Sequence, residues 1–163
     1  MPIPMTVCLA NSWRTARRFA APTKRGCWTR AGWCRLALRG SGYAADDFDW
    51  SRRQGFRVVP AQQCWHRSLE ALMAEVREQM GDGAVYLSFD IDGLDPAFAP
   101  GTGTPEVGGL SVWQGLEIVR GCRGLSLVGG DLVEVSPPYD GSGNTALLAA
   151  NLLYEMLCVL PGQ

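Results

Sequence analysis

The sequence predicts an α/β fold built on a parallel sheet, on three observations. From Ser41 onward the pattern runs strand, helix, strand, helix, strand, helix, an order that joins parallel strands through helical crossovers. Two of the β-rich runs, residues 85–90 and 125–135, turn acidic toward their carboxyl ends, where open parallel sheets collect their function. No apolar run approaches the roughly 20 residues that cross a bilayer, because Gly, Pro and charges interrupt each one.

The elements follow in order. Residues 56–60, FRVVP, read as a short strand. Ser68 then caps a helix over residues 69–80, in which Leu69, Leu72, Met73 and Val76 recur at helical spacing and Gly81-Asp82-Gly83 supplies the stop. Residues 85–90, VYLSFD, form the next strand, and a Gly- and Pro-rich loop covers 93–109. Ser111 opens a second helix with Trp113, Leu116, Ile118 and Val119 on its apolar face. Residues 125–135 are a buried strand, and 145–160 a long apolar helix.

The first 45 residues differ from the rest. They hold eight Lys or Arg and no acid, whereas the remainder holds seven basic against 16 acidic residues. Trp13, Trp28 and Trp33 fall among Arg, Gly and Cys without helical or strand period, so no structure is assigned there. Six cysteines without a CxxC pair point to buried thiols rather than structural zinc. The opening residues lack a charged start before their apolar stretch, which argues against a signal peptide and for a cytoplasmic protein with no membrane partner.

The chemistry gathers in Ser88-Phe89-Asp90-Ile91-Asp92-Gly93-Leu94-Asp95-Pro96. Side chains two apart on a strand share a face, so Asp90 and Asp92 repel unless a cation lies between them. On this spacing alone, a metal site and an exposed acidic turn closed by Asp95-Pro96 both stand.

The wider stretch SFDIDGLDPAFAPGTGTPEVGGL (88–110), together with GDLVEVSPPYD (130–140) and the terminal GNTALLAANLLYEMLCVLP, resembles the ureohydrolase family of arginases and agmatinases. SGYAADDFDW and QGFRVV bring it nearest the agmatinase and guanidinobutyrase branch. The resemblance implies a partial three-layer α/β/α sandwich, truncated, over residues 37–163. It also implies two Mn²⁺ ions bridged by hydroxide, which attacks a guanidinium carbon and releases urea from agmatine or 4-guanidinobutyrate. By motif position Asp90 and Asp92 are metal ligands and Glu134 pairs with the small guanidino substrate. Thr102 and Thr104 are loop hydroxyls that can support the site, Asp95 holds the loop, and the intact family forms homo-oligomers.

The family's upstream Gly-Gly-Asp-His and Asp-Ala-His-x-Asp elements do not occur, and the sole histidine, His66, suits a surface or capping role. The chain is therefore expected to be truncated and inactive; the alternative is a non-catalytic remnant that associates with intact subunits. Residues 1–36 are expected to be unstructured or translated out of frame: written in GC-rich codons and displaced by one base, Trp13 to Arg35 can spell a string resembling the family sequence before Leu38-Arg39-Gly40. A transit peptide and a basic arm for nucleic acid are the alternatives for this segment.

Overall fold

The computed structural model describes residues 5–9, 33–39, 47–53 and 55–162. Among these residues five strands make one sheet: β1 (Met5–Leu9), β2 (Trp33–Leu38), β3 (Arg57–Pro60), β4 (Ala84–Asp90) and β5 (Ser126–Val133). Their order is β3-β2-β1-β4-β5 and every pairing is parallel. The helices are α1 (Asp47–Arg53), α2 (Glu70–Met80), α3 (Val112–Gly121) and α4 (Asn144–Val159).

Local chemistry sets the helix starts. Ser111 accepts from the Gln114 amide while the Gln114 side chain returns to the Ser111 backbone, a reciprocal cap that begins α3. Ser68 Oγ accepts from the Glu70 N–H at 3.1 Å, and the Glu117 carboxylate of α3 accepts from the Leu69 N–H at 2.9 Å. That second bond couples the start of α2 to the middle of α3. Gly81, at φ 54°, ends α2.

Crossovers in parallel sheets are right-handed. The chain moves outward from β2 to β3 and then back across to β4 and β5, so α1 lies on the opposite face from α2 and α3. This is the three-layer arrangement. On the α2–α4 side, Val85, Leu87 and Phe89 of β4 form one apolar core with Met73, Val76, Ile118, Val119 and Leu152. The opposite face of β4 is polar, where Tyr86 Oη and Ser88 Oγ donate to the Asp131 carboxylate of β5 at 2.9 and 2.6 Å.

Two departures from the sequence reading stand out. β1 and most of β2 lie within residues 1–36, where no structure was assigned, and both pair in the sheet. Arg35 disguised β2. Its guanidinium is buried, donates to Ser51 Oγ at 3.2 Å and lies 5.1 Å from the centre of the Phe56 ring, which Trp33 also stacks against. Helix α1, which begins within SGYAADDFDW and runs on to Arg53, was likewise not anticipated. The shifted-frame, transit-peptide and basic-arm readings concern residues 1–36, of which 1–4 and 10–32 fall outside the described residues. Cys34, Cys64 and Cys122 are buried, and among the described residues no helix is long and apolar enough to cross a membrane.

Candidate metal centre

The strand order reverses between β1 and β4: β2 and β3 add on one side of β1, β4 and β5 on the other. At such a reversal the loops leaving the two strands part, and a crevice opens at their carboxyl ends. Asp90 is the last residue of β4, and Asp92 lies in the single 3-10 turn that follows, Ile91–Gly93. Both side chains are buried, at 0% and 1% exposure.

Asp90 Oδ1 accepts from the Asp92 N–H at 3.2 Å, and the two carboxyl groups share a hydrogen bond. Burial pushes the Asp90 carboxyl up to about 9, with the charge of Asp92 and then that of Glu134 adding to the shift. A pair so placed must either share a proton or bind a cation. The spacing left an exposed acidic turn as the rival to a metal site; the burial of both groups removes it.

Glu134 follows β5 directly and adopts φ 67°, a left-handed conformation that costs a side-chain-bearing residue roughly 1–2 kcal/mol. Such strain persists where the surroundings over-determine it, and it clusters at functional sites. Here the exposed Glu134 carboxylate ends up near enough to Asp90 to raise it.

The 93–109 loop closes over the strand ends. Thr104 Oγ1 donates to Asp92 Oδ2 at 2.7 Å. Asp95 serves the loop: its carboxylate accepts from the amides of Ala97, Gly108 and Gly109 at 2.9, 2.8 and 3.1 Å. Burial alone would raise Asp95, but these donors and Arg39 hold it below the ordinary carboxylate range. A Cβ at Gly109 would stand 2.4 Å from the Asp95 nitrogen, so only glycine lets the loop return this close. Thr102 pairs with Val135, beside Glu134, and its buried hydroxyl has no hydrogen-bond partner among the described residues.

Hard carboxylate oxygens on a buried pair, with an orphaned hydroxyl in the covering loop, fit a divalent cation such as Mn²⁺. The pair alone would not enclose such an ion: among the described residues no three His, Cys, Asp or Glu side chains form a group that could hold one. His66 is exposed, at φ 54°. Sequence reasoning missed Arg39, whose side chain reaches the same turn from the end of β2; its distance along the chain left no local signal.

The fold and the site together define an open parallel α/β protein with a carboxylate centre at its topological reversal. The Arginase family model matches residues 10–158, and the chain belongs to that family. It is 73% identical over 127 residues to the guanidinobutyrase of Pseudomonas aeruginosa, covering 78% of this chain and 40% of that protein. It is 68% identical over 127 residues to the mitochondrial agmatinase of Gallus gallus, covering 78% of this chain and 37% of that protein. Among solved structures, the proclavaminate amidino hydrolase from Streptomyces clavuligerus superposes with a TM-score of 0.87 at 34% identity, over 96% of this chain and 55% of that one. The chain thus spans about two-fifths of the length of these curated relatives.

Proposed function

We propose that this chain carries the Asp90–Asp92 part of a Mn²⁺-dependent ureohydrolase site that, in the intact protein, hydrolyses a linear guanidino compound to urea and an amine. Agmatine and 4-guanidinobutyrate are the substrates that similarity to the agmatinase and guanidinobutyrase favours. The observation that carries the reading is the buried carboxylate pair at the end of β4. When bound, the metal supplies the Lewis acidity that makes water nucleophilic near neutral pH.

The chain's own residues have separable tasks. Asp90 and Asp92 present oxygen donors from a rigid strand end. Thr104 fixes one Asp92 oxygen by its 2.7 Å hydrogen bond. Glu134 offers a carboxylate that can take a guanidinium through two parallel N–H···O bonds. Two carboxylates enclose no ion alone, so the isolated chain binds Mn²⁺ weakly and does not turn over. The same reading makes the protein cytoplasmic and its intact form a homo-oligomer; the relative named as mitochondrial marks an organelle as the alternative.

The test is urea release from agmatine and from 4-guanidinobutyrate by the purified chain with Mn²⁺, run beside a Mn²⁺-binding titration. Weak binding that Asp90→Asn abolishes, without turnover, is expected. No binding at all removes the metal assignment, and robust turnover removes the inactivity.

A second reading, a remnant that associates with intact subunits, draws on the outer edge of β5, which among the described residues is hydrogen-bonded to β4 alone. Co-purification with a full-length guanidinobutyrase would support it; clean separation from that protein would end it.

A further inference from the structure

Arg39 leaves the end of β2 and places its guanidinium against five backbone carbonyls. Nη2 donates to Asp92 O at 2.7 Å, Leu94 O at 3.1 Å and Glu106 O at 2.6 Å. Nε donates to Glu106 O at 3.0 Å. Nη1 lies 3.4 Å from Gly93 O and 3.5 Å from Ala37 O. Three consecutive carbonyls, those of Asp92, Gly93 and Leu94, thus face one planar cation.

A guanidinium has five N–H donors in a rigid fork. It can address this whole turn at once, which the single nitrogen of a lysine cannot. These bonds all run to main chain, so the group acts as a template for backbone shape. The turn it shapes carries the Asp92 carboxylate, whose outer oxygen Thr104 holds. Glu106 belongs to the far end of the same covering loop, so one side chain joins the end of β2, the turn after β4 and the return of the loop.

We propose that Arg39 is the positioning residue of this carboxylate centre: it templates the Asp92-Gly93-Leu94 turn so that Asp92 stands beside Asp90 before any cation arrives. The assignment rests on Asp90 and Asp92 being metal ligands. Arg39 touches neither substrate nor metal and acts through the turn.

The test uses the full chain, with Arg39→Lys, Arg39→Ala and, as a control of general stability, Val76→Ala in the core of α2. Mn²⁺ affinity and the electron paramagnetic resonance spectrum of bound Mn²⁺ are read alongside amide hydrogen exchange without metal. Both Arg39 variants should lose roughly tenfold or more in Mn²⁺ affinity and broaden the bound-ion spectrum, whereas Val76→Ala should leave both unchanged. Exchange should quicken at Asp92 to Asp95 and at Gly108 to Leu110 and stay unaltered along β5. Wild-type affinity in Arg39→Lys overturns the proposal, as does Val76→Ala reproducing its spectral change. If the wild-type chain takes up no Mn²⁺, the metal reading falls separately, and unquickened exchange at the turn then overturns the template by itself.

Discussion

The Thr104 hydroxyl donates to Asp92 Oδ2 at 2.7 Å, across 12 positions of chain. The bond fixes which Asp92 lone pairs remain for an ion and stops the carboxylate from rotating. Groups that orient a metal ligand from behind are typically worth about 10- to 100-fold in metal affinity. Thr104→Val, which keeps the shape and removes the donor, should weaken Mn²⁺ binding by about that factor, and Thr104→Ser should recover most of the loss. Calorimetric titration of the three proteins decides it; equal affinity in wild type and the valine variant would show that the hydroxyl plays no part.

Asp90 gives a pH signature of the metal-free chain. Its carboxyl is raised to about 9 by burial and by Asp92, from an unfolded value of about 4. Between those values the folded form holds a proton that the unfolded form has released, so stability falls as pH rises through the window. Asp90→Asn removes that dependence. The variant should be more stable than wild type near pH 8 and equal to it near pH 4. Urea denaturation at both pH values with metal chelated provides the measurement; parallel pH profiles would refute the buried-pair account.

The sequence made the second half of the fold legible because its strands and helices each carry a period and a punctuation mark. Ser111 and Gln114 are a readable capping box, and Gly81 a readable stop. Asp90 ends β4, but Asp92 lies in the 3-10 turn that follows, so the same-face spacing of a strand is not what brings the two together. β2 was not, because Arg35 breaks its apolar run and its burial depends on Phe56 and Ser51, 21 and 16 positions away. Arg39 was hidden for the same reason, since its partners at Asp92 and Glu106 lie 53 and 67 positions on. Contacts formed only after the sheet assembles leave no local pattern.

Asp140 caps α4. Its two oxygens accept from the Thr145 and Ala146 amides at 3.1 and 2.8 Å, and those bonds hold the carboxyl below its ordinary range. A depressed acid contributes stability above its unfolded value, and the contribution is lost as pH falls through the folded value. Asp140→Ala should therefore melt a few degrees below wild type at pH 7, with the two proteins converging as the pH falls below the ordinary carboxylate range. Circular dichroism melts across the acid range test this; a pH-independent gap would mean that the charge is not what caps the helix.

The open side of the sheet predicts how the chain behaves at high concentration. Among the described residues β5 pairs with β4 alone, and Val128 at its bulge is 61% exposed. Beside it, a cavity of about 300 Å³ between β5 and α4 is lined by Leu87, Leu127, Leu153 and Leu157 among others, and Tyr154 on the same helix is exposed. Unpaired backbone groups next to apolar side chains are a template for association. Sedimentation velocity over a rising concentration series should show wild-type self-association, and the double variant Val128→Lys with Leu157→Glu should suppress it. The charges act on two different features, the strand edge and the apolar helix face, so the single variants separate them. If Val128→Lys alone suffices, strand pairing drives association; if Leu157→Glu alone suffices, burial of α4 does. A wild-type chain that stays monomeric throughout would mean that the exposed edge of β5 does not pair in solution.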